Sequence, residues 1–168
     1  MSLNRRAGLS LVELLFSMAL LAISAAIAVP VFADLIERNR QLALQVELRS
    51  ALQVARAQAV IEGRSVEVCG SRDGLSCSSG WSDGWLIRAA RTQEPFRVRH
   101  GDGLKGLAWS GFGTSILFRG NGSSPISNGR FFQCHQGRVA WQLILNRQGR
   151  VREASFKENQ AEQGRCAD

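Results

Sequence analysis

The chain has 168 residues, of which 45% are hydrophobic and 21% are charged, and its formal net charge is +7 at neutral pH. This length suffices for one domain with a real core, and the composition argues against disorder. The charge is uneven: residues 97–168 hold 11 Arg and Lys against 5 Asp and Glu, whereas residues 9–96 hold 8 against 9. The basic character therefore belongs to the C-terminal half.

Arginine dominates the cationic residues, since only Lys105 and Lys157 of the 21 are lysines. The planar guanidinium is the better donor for phosphate and carboxylate groups. A genome rich in G and C would give the same bias without any function. The composition alone leaves both explanations open.

The N-terminal segment predicts a membrane helix. Arg5 and Arg6 precede residues 14–33, which carry no charge and would span about 30 Å as a helix. A secretory signal peptide is the alternative, because small residues around 22–28 offer a cleavage site. Against it stand Gly8, directly after the basic leader, and Glu13, a carboxylate in an apolar run where a charge is costly without a partner.

Helical character continues after Pro30, which should kink or loosen the helix. An apolar stripe recurs at steps of four and three, formed by Leu44, Leu48, Leu52, Ala55 and Ala59. Gly63 is a plausible C-cap. The pattern predicts one long helix whose first half lies in a membrane or fibre core and whose second half packs on a head.

The remaining residues predict a β-rich head and an α+β fold class. Short runs rich in β-branched and aromatic residues cover 65–69, 84–90, 96–100, 115–118, 130–134, 140–146 and 150–156. Glycine- and serine-rich turns separate them. We expect an antiparallel sheet, or two small sheets, packed on the helix.

The chain has four cysteines, Cys69, Cys77, Cys134 and Cys166. Their spacing lacks a CxxC, and the two histidines do not bracket a cysteine pair, so the sequence predicts disulfides rather than a metal site, and it indicates no cofactor. Three connectivities are possible. We favour one bond that closes the small loop from 69 to 77 and a second, from 134 to 166, that pins the tail.

Two further features allow a functional and a structural interpretation. Trp81 and Trp85 could form a binding platform, but tryptophans flanking an Asp-Gly turn are more often core residues. Asp73 invites a calcium site, yet no second carboxylate is near in sequence, which favours a loop aspartate. We expect the structural role for all three residues.

The N-terminal sequence "LSLVELLFSMALLAISAAIAVP", behind a basic leader that ends in Gly8, resembles the type IV prepilin family. The resemblance implies that a prepilin peptidase cuts after Gly8 and methylates Leu9, which stands where the family most often has phenylalanine. It also implies that Glu13 pairs with the free amine of a neighbouring subunit during assembly.

In the head, "VCGSRDGLSC", "WSDGWLI", "RFFQC" and "GRVR" are similar to FimT/GspH-type minor pilins. The resemblance implies a type IV pilin fold, in which a long N-terminal helix packs on an antiparallel head with disulfides. The regions would be a leader (1–8), a transmembrane or fibre-core helix (9–33), an amphipathic helical half (34–63) and the head (64–168). The precursor would sit in the bacterial inner membrane with its head in the periplasm, and then enter a pilus.

The stretch "NRQGRVREASF" (146–156) predicts a hairpin turn closed by Gly149 in the left-handed conformation. Alternate strand residues share a face about 6.8 Å apart, so Arg150 and Arg152 should point the same way and Val151 into the core. Such a pair can grip neighbouring phosphates of one nucleic-acid strand. Arg147, Lys157 and Arg165 would extend the patch.

The alternative is that both arginines are solvated, with Glu153 or Glu158 as partners. In FimT-type minor pilins a Gly-Arg-any-Arg motif near the C-terminus is associated with DNA binding during natural transformation. Gly149, Arg150 and Arg152 match that motif residue by residue. Phosphate contacts would bind duplex DNA without sequence specificity and with steep salt dependence.

We therefore predict a minor type IV pilin that binds DNA, with other pilin subunits and the prepilin peptidase as partners. A structural subunit that primes or caps pilus assembly, and a GspH-type pseudopilin of type II secretion, are the alternatives. No Ser-His-Asp pattern, phosphate-cradling glycine loop or paired carboxylates indicate an enzyme.

Overall fold

The computed structural model describes residues 10–101 and 104–166, so Gly8 and Leu9 lie outside the described residues. The chain divides into two compact units, Met1–Asn39 and Arg40–Asp168. Helix α1, Leu11–Glu62, contributes to both, and Pro30 lies inside it.

In the first unit, α1 is apolar and its side chains are exposed along residues 11–36. The helix is long and apolar enough to cross a membrane, with a mean hydropathy of 2.4 over its most apolar window. Ser10 caps its start, because the Ser10 Oγ accepts a hydrogen bond from the Glu13 backbone N–H at 3.2 Å. These features agree with the predicted membrane helix.

In the second unit, the predicted apolar stripe of α1 is buried. The stripe residues Leu44, Leu48, Leu52, Ala55 and Ala59 are each at most 4% exposed and belong to one continuous hydrophobic core. The helix ends at Glu62, and the following Gly63 has a φ of +63°, the left-handed conformation of a C-cap. The amphipathic pattern therefore predicted both the buried face and the end of the helix.

The head contains two four-stranded antiparallel sheets. The first has the order β3-β2-β1-β5, with β1 Val66–Gly70, β2 Gly84–Ala89, β3 Pro95–His100 and β5 Ser115–Phe118. The second has the order β4-β6-β7-β8, with β4 Leu107–Gly111, β6 Gly129–His135, β7 Arg138–Leu145 and β8 Val151–Glu153. Of the two predicted arrangements, the structure has two small sheets.

Two elements differ from the prediction. Strand β4 was not expected, because its sequence LAWSG ends in glycine and lies between loops. The predicted strand over 150–156 was wrong beyond residue 153: β8 is only three residues long, and a short helix, α2, spans Phe156–Ala161. Ser155 and Glu158 form a capping box at its start, and this local chemistry ends the strand.

Both predicted disulfides are present, one between Cys69 and Cys77 and the other between Cys134 and Cys166. The first closes a loop that contacts the first sheet, where Gly74 lies against the side chain of Val98. The second ties strand β6 to the segment after α2.

The segment that includes α2 covers one face of the second sheet. The Gln142 side chain of β7 donates a hydrogen bond to the Asn159 Oδ1 at 3.0 Å, and the Val139 N–H donates to the Gln163 Oε1 at 2.8 Å. Gln142 is 1% exposed as a result.

The two tryptophans and Asp73 have the structural roles that we expected. Trp81 and Trp85 are 2% and 1% exposed, and Trp81 packs edge-on against Phe131 with ring centroids 4.6 Å apart. The Asp73 carboxylate accepts hydrogen bonds from the Ser76 and Leu75 backbone N–H groups and from the Ser76 hydroxyl, which hold its pKa well below the usual range. Among the described residues no cluster suited to a metal ion exists.

Candidate nucleic-acid interface

The turn between β7 and β8 is fixed by the chemistry of two of its residues. The Asn146 side-chain oxygen accepts a hydrogen bond from the Arg150 N–H, and the Asn146 carbonyl accepts one from the Gly149 N–H, both at 2.9 Å. Gly149 has a φ of +74°, as predicted. We call residues 146–150 the hairpin tip.

The hairpin tip packs against the loop 119–124 and the end of α1. A Cβ on Gly149 would lie 2.2 Å from the Gly122 carbonyl oxygen, so only glycine allows this approach. The same oxygen accepts a hydrogen bond from the Arg56 Nε at 2.9 Å. On the other side of the tip, the Arg147 carbonyl accepts a hydrogen bond from the Ser124 N–H at 2.9 Å.

Three exposed arginines lie on these two contacting segments. Within the part of the chain that the structure describes, Arg150 and Arg119 make no side-chain hydrogen bond or ion pair. Arg147 has one weak side-chain contact, from its Nε to the Asn128 Oδ1 at 3.4 Å. Their guanidinium groups are therefore available to an anionic ligand.

Arg152 is in a different state, because its guanidinium is engaged by Glu158. Two hydrogen bonds join them, at 3.0 and 2.7 Å, and both side chains remain partly exposed. The bond from Arg152, together with one from the Ser155 N–H, lowers the pKa of Glu158 to about 2. The same pairing raises the pKa of Arg152. Of the two partners considered from the sequence, the structure selects Glu158.

Arg150 also differs from its predicted place, since it precedes β8 instead of lying within it. Across the sheet, Arg152 pairs with Ile144, and Ile144 pairs in turn with Arg130 on β6. Arg130 was not singled out from the sequence. Its Nη1 donates to the Glu162 Oε1 at 2.6 Å and to the Gln142 Oε1 at 3.2 Å.

The two weaker candidates have separate surroundings. Lys157 lies in the first turn of α2, exposed and without a side-chain partner among the described residues. Arg165 is ion-paired with Glu162, donates to the Ser110 Oγ at 2.9 Å, and lies over the Phe132 ring at 5.7 Å. The structure thus brings Arg147, Gly149 and Arg150 together on the hairpin tip, close in sequence to Arg152. The Arg165 side chain is instead occupied by its contacts with Glu162, Ser110 and Phe132.

Comparison with known proteins gives the family. Residues 46–149 match the family profile described as "Type II transport protein GspH", which is more than half of the chain. This chain belongs to the GspH family. Its residues 3–29 also match the prokaryotic N-terminal methylation motif. A search of curated proteins gave no match to this chain. The GspH match ends at Gly149, so Arg150 and Arg152 lie beyond it.

Solved structures show the fold of this GspH-family chain. It is similar to two crystal structures of the type IV minor pilin FimU of Pseudomonas aeruginosa PAO1. In space group P21 the TM-score is 0.58 at 24% identity, covering 71% of this chain and 91% of FimU. In space group P65 the TM-score is 0.50 at 23% identity, covering 65% of this chain and 88% of FimU. The predicted type IV pilin fold is confirmed. Together with the matches to the GspH family and to the methylation motif, it makes the chain a minor type IV pilin or pseudopilin.

The acidic groups around the hairpin tip of this GspH-family protein are neutralised. Glu153 on β8 pairs with Arg49 of α1 at 2.6 Å, Glu158 pairs with Arg152, and Glu162 pairs with Arg130. Among the described residues, no acidic group therefore remains to compensate the charge of the tip arginines.

Proposed function

We propose that this GspH-family pilin binds duplex DNA through its hairpin tip, without sequence specificity, during DNA uptake for natural transformation. The observation that carries the proposal is Arg150, an exposed guanidinium without an acidic partner among the described residues. Arg147 stands three residues before it, on the same tip. Guanidinium groups on a fixed turn suit phosphate oxygens, which carry no sequence information.

Arg152 joins this site by exchanging partners. Its bond to Glu158 is an exposed ion pair, and such pairs contribute little in water because solvent and salt screen them. A DNA strand presents phosphates in close succession, so the local concentration of competing anions is high. Lys157 lies next to Glu158 and adds positive charge to the same region.

The experiment titrates labelled duplex DNA with the full-length protein in detergent micelles, disulfides intact, at about 50 and about 200 mM salt. The Arg150→Gln/Arg152→Gln variant is compared with Arg91→Gln/Arg97→Gln, which removes two exposed charges near β3 of the other sheet. We expect binding that weakens with salt and is lost only in the first variant. Equal affinities of the two variants would refute the site.

We further propose that a prepilin peptidase cuts this chain after Gly8 and methylates Leu9. The match to the methylation motif over residues 3–29 supports this processing, and the apolar helix supports a membrane-bound precursor. The two disulfides favour a head in the periplasm, where such bonds persist. Mass spectrometry of the protein from assembled fibres should show an N-methylated chain that begins at Leu9.

Glu13 is proposed to pair with the N-terminal amine of a neighbouring subunit, because a carboxylate in an apolar helix needs a partner. Glu13→Val should keep the precursor in the membrane and reduce its incorporation into fibres. Normal incorporation of this variant would contradict the pairing.

The second candidate is a pseudopilin of a type II secretion system. The description of the matching family as a type II transport protein favours it. Deletion of the gene separates the two functions: loss of protein secretion with normal DNA uptake would support the pseudopilin. Loss of pilus assembly together with DNA uptake, with normal protein secretion, would instead indicate a structural subunit that primes or caps pilus assembly.

A further inference from the structure

An aromatic side chain projects from the turn between β4 and β5. Phe112 is 69% exposed, although phenylalanine normally lies in the core. It sits in the sequence SGFGTS, between Gly111 and Gly113. Its ring is therefore open to solvent, whereas the rings of Phe131 and Phe118 are buried in the core.

The backbone on both sides of Phe112 is held in place. The Phe112 N–H donates to the Asn128 carbonyl at 3.1 Å, and the Trp109 indole N–H donates to the Gly113 carbonyl at 3.0 Å. Trp109 itself packs on the buried Phe131, with ring centroids 4.7 Å apart. The exposed ring thus stands on a turn that is anchored to the core, which limits the entropy lost on binding.

Asn128 places Phe112 beside the hairpin tip. Its backbone carbonyl accepts from Phe112, and its side-chain oxygen accepts from the Arg147 Nε at 3.4 Å. From this point a groove of about 400 Å³ runs along the sheet, lined by Asn128, Arg130, Ile144, Asn146, Arg147 and Gln148. Two guanidinium groups and three amides therefore line the groove. Phe112 is joined to it through the hydrogen bond from its backbone N–H to the Asn128 carbonyl.

We propose that Phe112 is a stacking platform for an unpaired base, and that this surface binds a single-stranded stretch of DNA. The inference rests on the proposed function and deepens it. Arg147 and Arg150 contact the phosphates, and one base leaves the strand to lie on the Phe112 ring. Every base has a π-face, so this contact is independent of sequence. A fully paired duplex keeps its bases stacked on one another and offers no face to Phe112.

The experiment compares a labelled thymidine oligonucleotide of about 15 nucleotides with a duplex of the same length, both titrated with the full-length protein in micelles. Phe112→Ala should weaken binding of the single strand by roughly fivefold to a hundredfold, the range for loss of one stacked base. Its affinity for the duplex should stay within about twofold. Phe156→Ala, which removes a ring that is 77% exposed on α2, is the matched control and should change neither affinity.

Two further variants separate stacking from apolar contact and from misfolding. Phe112→Trp should bind the single strand at least as well as the unchanged protein, whereas Phe112→Leu should resemble Phe112→Ala. Arg150→Gln should weaken the binding of both the single strand and the duplex. Equal losses for both DNAs in Phe112→Ala, or no loss for the single strand, would overturn the inference without refuting the proposed binding of duplex DNA by the unchanged protein. Failure of the unchanged protein to bind either DNA would overturn the proposed function and this inference with it.

Discussion

The guanidinium of Arg152 and the carboxylate of Glu158 face each other in a two-pronged contact, with Nη1 3.0 Å from Oε2 and Nη2 2.7 Å from Oε1. Glu158 also accepts from the Ser155 N–H at 2.8 Å. One carboxylate therefore holds the start of α2 and restrains an arginine of the candidate site.

Removing the charge of Glu158 should release Arg152 to DNA. In Glu158→Gln the side chain can still cap α2, because glutamine also serves in a capping box. We expect duplex affinity to rise roughly twofold to fivefold, the range for loss of one exposed competing ion pair. Glu94→Gln, next to β3 of the other sheet, has the same change in net charge and should have a smaller effect. An equal rise in both variants would contradict a local competition.

The same carboxylate should give stability a defined pH dependence. The pKa of Glu158 is lowered to about 2, chiefly by Arg152, whereas an unfolded glutamate titrates near 4.3. A lowered pKa in the folded state stabilises the protein above the unfolded pKa, and this contribution is lost as the pH falls toward about 2. The difference in free energy of unfolding between wild type and Glu158→Gln should therefore shrink between about pH 5 and 2 in urea titrations. A constant difference would be inconsistent with the pairing.

The two disulfides should contribute unequally to stability. Their cysteines are 8 and 32 residues apart, and a longer closed loop removes more entropy from the unfolded chain. Replacing Cys134 and Cys166 by alanine should lower the free energy of unfolding by about 3 to 4 kcal/mol, against about 2 to 3 kcal/mol for Cys69 and Cys77. Urea unfolding of the two double variants measures this, and a reversed order would argue against the entropic account.

Gly149 and Gly63 should respond differently to the same substitution. Both have a positive φ, so alanine costs about 1 to 2 kcal/mol at either position. At Gly63 nothing lies within 4 Å of the new Cβ, whereas at Gly149 it meets the Gly122 carbonyl oxygen at 2.2 Å. Gly149→Ala should therefore be the more destabilising variant in thermal unfolding. Equal losses would show that the loop around Gly122 yields freely.

The features that the sequence predicted correctly depend on local chemistry. The α1 stripe follows from helical periodicity, and the turn at Gly149 follows from a residue that tolerates positive φ. Helix α2 had a local signal as well, since Ser155 and Glu158 have capping-box spacing. The β-branched and aromatic residues of 150–156 favoured a strand and outweighed this signal.

Contacts between residues far apart in the sequence could not be predicted from local patterns. Glu153 pairs with Arg49, 104 residues earlier in the chain, which leaves Glu158 to take Arg152. The exposure of Phe112 likewise depends on how β4 and the loop at Asn128 meet. A phenylalanine between two glycines gives no signal of that exposure, so the aromatic part of the surface could not be found from the sequence.

Different residues of the hairpin tip fix its backbone conformation and supply its exposed side chains. Asn146 and Gly149 carry the geometry of the turn, through hydrogen bonds and a positive φ. The side chains of Arg147, Gln148 and Arg150 contribute almost nothing to it. Substitutions at these three positions should therefore alter what the hairpin tip binds while the conformation of the turn is kept.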